Sequence, residues 1–155
     1  MSLTTKIKTI VNTLYPNATF ALSSWFKANL SSYNIEEITI NKPLIVLSNE
    51  LKKDKEMEPN VNILANTRVL MWFLVKSDDG VYATDADMQT DIEALEIIAD
   101  RVYNNIYQLS EVRLKEGELF RYSTTPKFKI WNSVLTGVEA EARIKENQVR
   151  NICKV

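Results

Sequence analysis

The sequence predicts an α+β fold: an antiparallel or mixed β-sheet with one long amphipathic helix (about 87–109) and an N-terminal helix (about 3–15) packed on it. Three observations lead there. Met88, Ile92, Leu95, Ala99, Val102, Ile106 and Leu109 are spaced 4-3-4-3-4-3, the stripe of a helix lying across a sheet. Residues 69–75, VLMWFLV, are the longest apolar run and suit a strand buried on both faces. Residues 128–144, FKIWNSVLTGVEAEARI, read as a closing hairpin turning at Thr136-Gly137. In its second strand Val138, Ala140, Ala142 and Ile144 share one face, and Glu139, Glu141, Arg143 and Lys145 the other.

In chain order, Leu3, Ile7, Ile10, Val11 and Leu14 give the first helix its apolar side, and Pro16 ends it. Residues 19–26, TFALSSWF, mix aromatic and aliphatic residues as a strand would, with a short helix as the alternative. A strand is expected to start over 37–40 and break at Lys42-Pro43, and 44–47, LIVL, is a short strand. Residues 49–60, NELKKDKEMEPN, are dense in charge. Two readings stay open for them: a solvated loop, or an arm that orders only against a neighbouring subunit.

Residues 61–75 form one long strand, followed by a turn signal at 77–80, SDDG. Thr84-Asp85 supplies N-cap chemistry for the long helix, and Asp87 adds favourable charge to its first turn. Ile97, Ile98, Tyr103 and Tyr107 are expected to widen its apolar stripe. After a polar connection, 119–122 and 128–131 read as two strand pieces separated by 123–126. The expected organisation is one domain, 1–146, and a tail, 147–155.

Composition limits the chemistry. The 155 residues are 45% hydrophobic and 25% charged, the profile of an ordinary globular protein. No run approaches the ~18 apolar residues of a membrane span, so no membrane partner is expected. The first residues lack the continuous apolar core of a signal peptide, which points to cytoplasmic synthesis. A net charge of −1 without a basic cluster disfavours a tight grip on nucleic acid. The single cysteine, Cys153, leaves no internal disulfide.

Histidine is absent, which removes the commonest general base, the Ser-His and Cys-His pairs and most transition-metal sites. Three glycines cannot build a phosphate-cradling loop. Asp78, Asp79, Asp85 and Asp87 lack the spacing of a calcium loop, and turn or cap roles account for them better. Trp72 reads as core, and Trp25 and Trp131 as core or stacking platforms. No catalytic, cofactor or metal residues are therefore assigned, and the protein is expected not to be an enzyme. Lys52, Lys53, Lys55 and Glu56 in the charged connection, with Glu139, Glu141 and Arg143 on the last strand, are the candidate subunit-contact residues.

The element order resembles that of the tail-terminator and tail-completion proteins of tailed bacteriophages. Pro43-Leu44-Ile45-Val46-Leu47, residues 69–79, the helix from Met88 and residues 132–144 carry the resemblance, which covers about 44–144. It implies a non-enzymatic virion protein that forms a homo-oligomeric ring, often six-fold, at the head–tail connection. Its partners would be neighbouring neck or tail proteins, with DNA only as cargo passing through the channel. Assembly would take place in the host cytoplasm, without a cofactor. Two other classes remain: a small intracellular adaptor domain unrelated to phage, and a carboxylate-dependent hydrolase.

Overall fold

The computed structural model describes residues 2–29, 37–49, 53–57, 62–76, 85–109, 120–130 and 135–149. Helix α1 (Leu3–Leu14) begins at Ser2, whose side-chain oxygen accepts the Thr5 N–H at 3.2 Å. That bond satisfies one of the free donors of the first turn. It ends where the Tyr15 N–H reaches the Val11 carbonyl at 2.8 Å, one residue before Pro16. Ile7 and Val11 are fully buried on its inner side.

Strand β1 (Thr19–Leu22) runs straight into the short helix α2 (Ser23–Ala28). The chain returns through a Thr39–Lys42 bridge to strand β2 (Leu44–Leu47), which pairs with β1 in parallel. A parallel pair needs such a crossover, and α2 lies within it. Asn49 ties the unit together. Its Oδ1 accepts from the Ser23 hydroxyl at 3.0 Å and the Ser24 N–H at 3.1 Å, and its Nδ2 donates to Ser24 Oγ at 2.8 Å.

The sheet is built on two fifteen-residue strands, β4 (Asn62–Lys76) and, after β5 (Tyr122–Ile130), β6 (Leu135–Val149). They pair antiparallel along their full length, from Asn62 opposite Val149 to Lys76 opposite Leu135, a ladder about 50 Å long. On the other edge of β4, β2 pairs with 71–74 and β3 (Lys53–Met57) with 63–67. Among the described residues the order is β1-β2-β4-β6-β5, with β3 beside β4, and the six-stranded sheet is mixed.

Helices α1 and α3 (Asp85–Tyr107) lie on one face of this sheet. Ile92, Leu95, Ala99, Val102 and Ile106 of α3 meet Val69, Met71 and Phe73 of β4 and Val138, Ala140 and Ala142 of β6. Truncating Leu95 to alanine would cost about 2–5 kcal/mol through lost burial and the cavity left behind. Tyr103 adds a polar pin: its buried hydroxyl shares one proton between the carbonyls of Val69 (3.1 Å) and Ala140 (2.8 Å), one on each long strand. Burial raises its pKa well above the ordinary tyrosine value, so the hydroxyl stays a donor. The Tyr103 ring stacks on Tyr122 of β5, with centroids 5.2 Å apart. A smaller cluster on the opposite face joins Phe26 of α2 and Ile38 to Ala21, Leu44, Val46, Leu74 and Leu135.

The α+β class, the long helix, the apolar strand and the first helix stand where the sequence put them. Several details differ. Thr136 and Gly137 are not a turn: they lie inside β6, opposite Val75 and Leu74, and the reversal falls between Ile130 and Leu135. A Cβ on Gly137 would lie 1.9 Å from the Phe73 carbonyl oxygen, so this glycine admits the neighbouring backbone of β4. Part of the charged connection, Lys53–Met57, is a strand. The two expected pieces around 119–131 form one strand, β5, containing Pro126. Residues 37–40 form no strand, and Thr39 makes an isolated bridge to Lys42. β6 runs through Asn147–Val149, three residues into the expected tail. Of the four residues expected to widen the α3 stripe, Ile98 and Tyr103 are buried, while Ile97 and Tyr107 are exposed.

Candidate functional site

Alternation along β4 and β6 sorts their side chains. Odd-numbered β4 residues face the helices, and even-numbered ones face away. Away from the helices, α2 and Ile38 cover one end of the sheet, at Leu44, Val46, Leu74 and Leu135. Further along, β4 presents Trp72, Leu70 and Arg68 opposite Glu139, Glu141 and Arg143 of β6.

These groups form ordered pairs. The Arg68 guanidinium grips Glu141 with two bonds, Nε to Oε1 at 2.6 Å and Nη2 to Oε2 at 3.1 Å. The Trp72 indole N–H donates to Glu139 Oε1 at 3.1 Å, while Lys127 Nζ of β5 stands 3.7 Å from Glu139 Oε2. Arg143 Nη1 lies 3.7 Å from Asp54 Oδ2 of β3. The register sets Arg68 directly opposite Arg143, a repulsive pairing if nothing intervened. Arg68 instead leans to Glu141 on the adjacent β6, and Arg143 reaches across β4 to Asp54 on β3. The Arg68 hydrogen bonds, against an opposing push from burial and with help from the Arg68 and Arg143 charges, hold Glu141 below the usual carboxylate range.

Glu139, Glu141 and Arg143 thus come together on one surface, as the alternation predicts. Lys53, Lys55 and Glu56 are exposed on β3, but the register splits them. Lys53 and Lys55 stand opposite Thr67 and Ala65, on the helix-bearing side, while Asp54 and Glu56 share the side of Asn66 and Leu64. Lys52 lies outside the described residues, as does Trp131, and so does the side chain of Trp25. Sequence reasoning missed Arg68, Asp54 and Lys127, and placed Trp72 wholly in the core. A signal existed for Arg68, since it shares the period-two face of Leu70 and Trp72 in an otherwise apolar strand. Which carboxylate it meets depends on register, which no single strand encodes.

Among the described residues no group of three or more His, Cys, Asp or Glu side chains is placed to hold a metal ion. No helix among them is long and apolar enough to cross a membrane. No protein-family model matches this chain, and no curated protein is similar enough to it to count as a relative.

Proposed function

We propose that this protein is a non-enzymatic virion component of a tailed bacteriophage, forming a homo-oligomeric ring at the head–tail connection. The observation that carries this reading is a stretch of sheet face, open among the described residues, on which Arg68–Glu141, Lys127–Glu139 and Arg143–Asp54 pair. A rigid, charge-patterned sheet backed by helices serves as a building surface, where geometry rather than turnover is the product. The resemblance in element order to tail-terminator and tail-completion proteins supplies the setting. In that setting a mildly acidic wall would let DNA pass without holding it. Neighbouring neck or tail proteins would complete the contacts above and below the ring.

Light scattering on the purified chain tests this. The expected result is a mass that is a multiple of 17.8 kDa, alone or on addition of the products of the flanking genes. A protein that stays monomeric at high concentration, and that binds none of those products, would overturn the reading.

A further inference from the structure

A run of aromatic rings leaves the core where α3 meets β5. Glu96, Asp100, Tyr103 and Tyr107 are spaced 4-3-4, which sets them along one flank of α3. Tyr122 of β5 stands opposite Ala142 and stacks on buried Tyr103, the ring planes 1° apart. Phe120 lies 6.2 Å from Tyr122, and Tyr107 lies 5.4 Å from Phe120, centroid to centroid. Tyr103 serves the core, but Tyr107 is 42% and Tyr122 37% exposed. The stack thus reaches solvent beside β5, a strand with no outer neighbour among the described residues. Aromatic rings left open at a sheet edge are the material of a contact surface.

Carboxylates border these rings. Asp100 accepts from the Tyr122 hydroxyl, and Glu96 stands near enough to add to the push that burial and Asp100 exert on that hydroxyl. Among the described residues no ion pair joins Glu96 or Asp100 to a cation, Arg121 included. Lys127 of β5 stands beside Glu139, on the face away from the helices. Ring faces and carboxylates both attract a cation, so this surface suits a basic segment that also carries an apolar side chain.

Residues 150–155, RNICKV, have that chemistry: Arg150, Ile152 and Lys154, with no acid. They lie outside the described residues, and their own copy of the surface is out of reach. β6 carries the chain to Val149, seven residues past Ala142, or about 23 Å beyond the position opposite Tyr122. Arg150 follows at once, and the backbone from Val149 to Lys154 spans at most about 18 Å, part of which a reversal would consume. Building on the ring reading above, we infer that the Tyr107–Phe120–Tyr122 surface, with Glu96 and Asp100, receives residues 150–155 of a second copy. Arg150 and Lys154 bring cations to the rings and carboxylates, and Ile152 covers the exposed aromatic area. Segment and surface are different parts of the chain, so the contact runs head to tail and closes into a ring if the rotation allows.

Charge reversal on each half tests this in the full chain. One variant carries Arg150→Glu with Lys154→Glu, and the other carries Glu96→Lys with Asp100→Lys. Sedimentation is expected to give each alone a dissociation constant raised about tenfold or more over the parent chain. An equimolar mixture of the two should recover assembly, because each acidic segment then meets a basic surface and each unaltered segment an unaltered surface. Parent assembly untouched by the Arg150→Glu/Lys154→Glu change, or a mixture no better than its components, overturns the inference and leaves the ring reading standing. A parent chain that never assembles, alone or with its virion neighbours, overturns both. If the Glu96→Lys/Asp100→Lys chain fails to fold by circular dichroism, Tyr107→Ser takes its place: weakened assembly supports the contact, and unchanged assembly overturns it.

Discussion

Gly137→Ala puts the central ladder of the sheet under direct strain. The added Cβ would fall 1.9 Å from the Phe73 carbonyl oxygen and 2.9 Å from both Phe73 C and Leu74 Cα. An ordinary contact needs about 3.4 Å or more, so the two backbones must part by about 1.5 Å or the ladder must bend. The obstacle is main chain, with no flexible side chain to swing aside. The cost should therefore reach the upper part of the overpacking range, about 3 kcal/mol. For a chain of this length that corresponds to a melting temperature lowered by about 6–12 °C. Thermal and urea unfolding followed by circular dichroism measure it. A companion variant separates the two roles a glycine can have. At a left-handed turn position asparagine is tolerated better than alanine, whereas at a close approach its larger side chain is no better. Equal or greater damage from Gly137→Asn is thus expected. A melting temperature within about 1 °C of the parent for Gly137→Ala, or clear rescue by asparagine, would refute the close-approach account.

Tyr103→Phe removes the hydroxyl shared by the Val69 and Ala140 carbonyls. It should cost about 1–2 kcal/mol, read as a lower urea midpoint, and an unchanged midpoint would count against the pin. Glu141 is held below its ordinary value of 4.5 by Arg68, so the stability it lends is full above that pH and is lost as pH falls through the lowered folded value. Both side chains are more than a third exposed or close to it, at 43% and 35%, so solvent limits the pair to at most about 1 kcal/mol. Glu141→Gln should accordingly shallow the acid limb of a stability–pH curve by that amount, and an identical limb in the variant would contradict the pairing. Tyr122 is pushed up to about 12, first by burial and then by its hydrogen bond to Asp100 and the nearby carboxylates. Its contribution is present below pH 10, the ordinary tyrosine value, and is lost as pH rises from there through 12. Absorbance titration at the tyrosinate band, parent minus Tyr122→Phe, should show one group ionising near the top of that window.

Elements whose signal is a periodicity were legible from sequence. The seven-residue stripe of α3 and the alternation of β6 report burial directly, since only one face of each meets a core. Signals that depend on residue identity misled. A glycine after threonine has the chemistry of a turn, yet Gly137 is needed because another strand passes too close for a Cβ. KDKEM has the composition of a loop, but charge is also what an outer strand carries to discourage unwanted pairing. Pro126 reads as a break in a strand, and it is tolerated because among the described residues β5 pairs only with β6 and needs no donor on its outer edge. At the candidate surface, Glu139, Glu141 and Arg143 could be grouped because they lie two apart on one strand. Arg68 and Lys127 could not join them until the register of β4 and β5 against β6 was known.

The fifteen-residue ladder between β4 and β6 also fixes an order of events at the ribosome. VLMWFLV leaves the exit tunnel roughly 60 residues before the strand that will pair with it, a wait of about 3–12 s at ordinary elongation rates. During that interval β2 is already made and can shelter residues 71–74, and α1 and α3 can begin to cover one face. The other edge of β4 stays bare until β6 emerges. A chain halted before residue 135 should therefore be an aggregating species rather than a smaller folded one, and chaperone capture during translation should peak in that interval.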